Sequence, residues 1–100
     1  MAKEITVQQL KAKLEAGEKF VFVDVREPHE YEEFNIGATL IPLGTVPSSL
    51  DTFGPKDGEI VLHCRSGARS GRAQQFLESQ GFTDVYNVTG GVLAWREMTS

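Results

Sequence analysis

Two short runs of strand-forming residues constrain this chain more than anything else in it. They are Phe20-Val21-Phe22-Val23 and Ile60-Val61-Leu62-His63. Each is almost wholly apolar and does not alternate with polar residues, the pattern of a strand covered on both faces. Strands of that kind belong to parallel sheets, whose members need long crossovers between them, usually helices. The sequence supplies such helices. Thr6 and Gln9 fit a capping box, Val7, Leu10 and Leu14 mark one helical face, and Gly17 suits the stop. Pro28 opens a short helix that runs through Tyr31 to Phe34. Ser70 to Gln80 reads as a helix with Ala73, Phe76 and Leu77 on one face and Gly81 behind it. Gly90-Gly91 turns into a last short helix carrying Leu93, Ala94 and Trp95.

Val85 to Val88 and Ala38 to Ile41 add two more strands, and Glu4-Ile5 is a fifth candidate. Val46 to Phe53 is ambiguous, although Pro47, Ser48 and Ser49 can start a helical turn. Gly54 to Gly58 is a turn cluster. The expectation is one α/β domain over residues 1–100, built on a single open, mostly parallel sheet. A chain of 100 residues has enough apolar material for one core and not two.

Composition narrows the function. Fourteen acidic side chains against ten basic ones give a net charge of −4, which argues against nonspecific nucleic-acid binding. No apolar run approaches the ~18–20 residues of a membrane span. No secretory signal is evident at Met1-Ala2-Lys3-Glu4. A single cysteine forbids an internal disulfide and is compatible with a reducing cytoplasm, the expected location. A zinc site would have to be assembled from Cys64, His29, His63 and carboxylates, a poor set of ligands.

That cysteine opens the segment Cys64-Arg65-Ser66-Gly67-Ala68-Arg69-Ser70, between a strand and a helix. In open parallel sheets ligands bind where strands pass into loops at their carboxyl ends. Arg65, Arg69 and Arg72 make this loop cationic in an acidic chain. Ser66, Gly67 and Ala68 let the backbone curl so that successive N–H groups form an anion nest, and the helix starting near Ser70 adds its positive end. All three effects favour Cys64 as thiolate, which is both nucleophile and leaving group, as a group carrier must be. A lone cysteine is most often a small buried hydrophobe. The coincidence of strand end, small-residue loop, arginines and helix outweighs that reading here.

The chain resembles the rhodanese family of sulfurtransferases in its single-domain form. Asp24-Val25-Arg26-Glu27 is similar to an early D-x-R-E motif. Tyr31-Glu32-Glu33, Ile36-Gly37-Ala38 and Ile41-Pro42-Leu43 are similar to a second signature, and Cys64 to Ser70 to the active loop. Gly90-Gly91 with Trp95 resembles the closing G-G-x-x-x-W. One departure is plain. Phe34-Asn35-Ile36-Gly37-Ala38 lacks the histidine of the usual G-H-I-x-G-A and is a residue shorter.

The resemblance implies a five-stranded parallel sheet with helices on both faces. It also implies a persulfide mechanism in which Cys64 takes the outer sulfur of thiosulfate or a polysulfide and passes it to cyanide or a thiol. Arg65 and Arg69 would attract the anionic donor, loop N–H groups over Ser66, Gly67 and Ala68 would hold the terminal sulfur, and Ser66 and Ser70 would donate hydroxyl bonds. No metal or organic cofactor is expected. The partners are small anionic sulfur donors and a possible protein donor or acceptor, with the chain a monomer or weak dimer.

Other residues carry plainer readings. Asp24 and Arg26 read as a buried pair supporting the site rather than as catalytic acid and anion clamp. His63 points away from Cys64, because adjacent strand residues face opposite sides. His29 reads as exposed, Trp95 as a cover for the sheet, and Asn87-Val88-Thr89 as an unused glycosylation sequon inside a strand. Two rival functions remain. A cysteine phosphatase or arsenate reductase would place one more residue between cysteine and arginine than the four found here. A sulfur-relay or regulatory module would use the same cysteine with a protein partner.

Overall fold

The computed structural model describes residues 3–100. Its five strands are β1 (Lys3–Ile5), β2 (Val21–Asp24), β3 (Thr39–Leu40), β4 (Ile60–His63) and β5 (Val85–Val88). They form one sheet in the order β1-β5-β4-β2-β3. Every strand pairing is parallel. Four helices connect or follow them: α1 (Val7–Glu15), α2 (Pro28–Glu33), α3 (Ala68–Ser79) and α4 (Gly91–Thr99). The ambiguous stretch before β4 forms two 3-10 helices, Leu43–Ser48 and Leu50–Phe53.

Strand alternation sorts the buried residues into two clusters. Val23, Ile60, Leu62 and Val85 pack with Ala73 and Leu77 of α3 and with Val46 and Phe53 of the 3-10 segment. Val61 and Val88 pack on the other face with Val7 and Leu10 of α1, and with Ala94, Trp95 and Met98 of α4. The sheet is therefore covered on both sides, which is why its central strands carry apolar residues on both faces. Trp95 takes its place in that cover.

The local signals have local causes. Thr6 accepts a bond from the Gln9 N–H at 3.0 Å while Gln9 Oε1 accepts from the Thr6 N–H at 2.8 Å, the reciprocal capping box. Helix α3 starts at Ala68, two residues earlier than expected. Gly67, at φ 111°, supplies the left-handed turn that lets the helix begin there. The shortened segment around Asn35 closes on itself. Asn35 donates to the Tyr31 carbonyl and accepts from the Gly37 N–H, each at 3.1 Å. The Tyr31 hydroxyl donates to the Ala38 carbonyl at 2.6 Å.

Candidate active site

β4 ends at His63, and the chain then turns through Cys64 into α3. Cys64 continues the parity of Ile60 and Leu62 and lies on the α3 face, only 1% exposed. His63 takes the opposite parity and packs against the Phe22 ring at 5.4 Å between centroids. It is no base for the cysteine. Neither His63 ring nitrogen has a hydrogen-bond partner among the described residues, and burial holds the imidazole below its ordinary pKa.

Burial alone would mark Cys64 as inert. The donors around the sulfur change that. The Gly67 N–H donates to Sγ at 3.1 Å, and the Ser70 hydroxyl oxygen lies 3.4 Å away. Desolvation pushes the thiol up. The Ser70 hydroxyl and the N–H groups of Ser70, Gly67 and Ser66 pull it down by more, so that it titrates below the usual 9.0.

For Ser66, one of those N–H donors, the direction has a cause outside the loop. At the start of α4, the Val92 N–H donates to the Cys64 carbonyl at 2.9 Å and the Leu93 N–H to the Arg65 carbonyl at 3.0 Å. A trans peptide points its C=O and N–H in opposite directions. Anchoring these carbonyls on α4 turns the N–H of the next residue away from α4. Gly91 makes the approach possible. A Cβ there would lie 2.3 Å from the Cys64 carbonyl oxygen, at a φ of +53°.

The arginines of the loop divide. Arg69 forms a two-pronged pair with Glu30 of α2, at 2.7 and 2.9 Å. Hydrogen bonding to Arg69 holds the Glu30 carboxyl down at about 2. Arg65 is exposed and forms no ion pair among the described residues. It lines a cleft of about 150 Å³ together with Arg26, Glu30, Phe34, Leu93 and Arg96. A larger cleft of about 340 Å³ lies between α1 and α4, lined by Thr6, Thr89 and Met98, and does not involve Cys64. Ser66 and Ala68 are exposed at the loop surface, while Ser70 is buried below it.

Asp24 and Arg26 lie at the end of the neighbouring strand. Asp24 stands beside His63 in register, on the face of the sheet opposite Cys64. Arg26 donates to its carboxylate through Nε at 3.0 Å and Nη2 at 2.7 Å, and to the Phe34 carbonyl at 2.6 Å. The pair ties β2 to α2 and does not reach the sulfur.

Two participants escape the sequence reading. Glu30 looks like an ordinary surface acid of a short helix. Asn87, noticed only for its sequon, places its side chain on the α3 face of β5, against Ser70 and Gly67. A polar residue inside an otherwise apolar strand was the available signal. Among the described residues, no group of His, Cys, Asp and Glu could hold a metal ion. No helix there is long and apolar enough to cross a membrane.

Comparison with known proteins agrees with this geometry. The Rhodanese-like domain family model matches residues 6–98. YtwF of Bacillus subtilis is 44% identical over 98 residues, covering 97% of this chain and 93% of that protein. An Allochromatium vinosum protein named Sulfurtransferase is 38% identical over 96 residues, covering 95% of this chain and 89% of that one. The crystal structure of a rhodanese-like domain protein from Staphylococcus aureus matches with a TM-score of 0.85 at 38% identity, covering 93% of this chain and 90% of that chain. The chain, with its cysteine loop held between parallel strand and helix, belongs to the rhodanese-like domain family.

Proposed function

We propose that the protein is a sulfurtransferase that carries sulfane sulfur on Cys64. The observation that carries this reading is the sulfur itself, buried yet met by the Gly67 N–H and the Ser70 hydroxyl, which favour the thiolate. In the first half-reaction the thiolate attacks the outer sulfur of thiosulfate. A new S–S bond forms, the S–S bond of thiosulfate breaks, and sulfite leaves with the electron pair. In the second, cyanide or a thiolate attacks the terminal sulfur of the persulfide, and Cys64 leaves as thiolate. No step needs a metal or organic cofactor.

Arg65 is the group best placed to draw in the anionic donor, since Arg69 already shares its charge with Glu30. Arg69 then shapes the loop as well as adding to its field. The N–H groups of Ser66 and Gly67, with those of Ala68 and Ser70 in the first turn of α3, are the donors for the sulfur. Asp24 and Arg26 support the site from the neighbouring corner. A protein thiol is an equally suitable acceptor at a loop this exposed.

Intact mass after thiosulfate treatment tests the reading. A gain of one sulfur atom, removed by cyanide, is expected. Hydrolysis of an aryl phosphate with no sulfur uptake would overturn it in favour of phosphatase chemistry.

A further inference from the structure

At Ser70 one proton faces three acceptors. The hydroxyl oxygen lies 2.5 Å from Asn87 Oδ1, 3.3 Å from the Gly67 carbonyl and 3.4 Å from Cys64 Sγ. A serine hydroxyl has a single hydrogen, so it serves one of them at a time. The orientation of Asn87 is settled by its other end. Asn87 Nδ2 donates to the Gly67 carbonyl at 3.0 Å, which turns Oδ1 toward Ser70. An amide oxygen carries no hydrogen, so in this contact Ser70 must be the donor. Both side chains are buried, Ser70 at 0% and Asn87 at 8% exposure.

We propose that Asn87 is a positioning residue that competes with the Cys64 sulfur for the Ser70 proton. While the sulfur next to the β-carbon is neutral, as thiol or as the inner atom of a persulfide, the hydroxyl bonds Asn87. When charge forms at that sulfur, the hydroxyl turns to it and releases Asn87. The thiolate is thereby stabilised less than a free Ser70 would allow. It keeps more nucleophilicity, which falls as a thiol's pKa falls. The consequence for turnover rests on the sulfur-transfer reading; the competition itself does not.

The test is the pH dependence of Cys64 alkylation by iodoacetamide in the full chain. Asn87→Ala frees the hydroxyl and should move the titration to lower pH, raising the thiolate fraction below the midpoint about threefold to tenfold, the worth of one hydrogen bond, and the alkylation rate by less, because nucleophilicity falls with pKa. Asn87→Asp keeps the acceptor, adds negative charge and should move it the other way. In a Ser70→Ala background, Asn87→Ala should leave the titration unmoved. Shifts of the same sign in both Asn87 variants, or an Asn87→Ala effect that survives without Ser70, would reduce Asn87 to a prop for the loop and overturn the proposal. If Asn87→Ala does not fold, the near-isosteric and uncharged Asn87→Leu decides, with a shift to higher pH or none overturning the proposal. Opposite shifts in a protein that takes no sulfur from thiosulfate would sink the transfer reading and leave the competition standing.

Discussion

Two neighbouring strand ends solve opposite problems. The corner after β2 buries a full ion pair, Asp24 at 0% and Arg26 at 4% exposure, and spends every charge on its own structure. Each guanidinium contact there goes to the Asp24 carboxylate or to the carbonyls of Glu30 and Phe34. The corner after β4 buries one sulfur and surrounds it with donors that belong to the backbone and one serine. The first is a closed network, in which a charge has its partner. The second is an open one, in which backbone N–H groups face a sulfur whose charge comes and goes, and the one serine proton is shared with Asn87. Proximity to a strand end therefore does not make a polar group catalytic. What separates the two is whether the donors are held by a permanent opposite charge, as at Arg26, or by neutral partners they can leave, as at Ser70.

That contrast can be broken at several points. The largest effect belongs to Cys64→Ser, expected to abolish sulfur uptake by intact mass while leaving the circular dichroism spectrum unchanged, because a hydroxyl forms no persulfide. Retained uptake would remove Cys64 as the carrier. Next comes Asp24→Ala, which strands the Arg26 charge in the interior. A loss of about 3–5 kcal/mol in urea unfolding is expected. A variant of unchanged stability but lost transfer would show that the closed corner is chemical after all.

Gly91→Ala is expected to damage both stability and Cys64 reactivity, since its Cβ would collide with the Cys64 carbonyl oxygen that α4 holds. Melting temperature and alkylation rate should fall together. Normal alkylation in a folded Gly91→Ala protein would show that α4 does not set the loop's amides.

The smallest effect concerns Glu30 and Arg69. A carboxyl held at about 2 instead of 4.5 contributes stability that is complete above pH 4.5 and is lost as pH falls toward 2. The pair is part-exposed, so the contribution is about 1 kcal/mol or less. Urea midpoints measured at pH 6 and pH 3 should drop further for the parent chain than for Glu30→Gln. Equal drops would mean the pair does not stabilise the fold.

Much of this molecule is legible in short stretches of its chain. The capping box at Thr6 and Gln9, the strand parity that parts His63 from Cys64, and the small residues that let the loop curl all act within a few residues of one another. Their physics is local, so their spacing suffices. A mostly parallel sheet with two covered faces follows from unbroken apolar strands divided by helices, and the structure makes every pairing parallel. Arg69 shows the limit. The sequence marks it as a cation of the loop, and only the approach of α2 reveals that Glu30 already holds it.

The amino-acid order by itself placed the strands and the four helices to within about two residues, left Val46 to Phe53 open, and marked where a thiol would meet amide donors. Tertiary structure alone decided how those donors point and who competes for them. The Val92 and Leu93 N–H groups reach the loop's carbonyls, and Asn87 reaches Ser70, only after separate segments are packed side by side. Hydrogen-bond direction depends on positions in space that residue spacing does not encode.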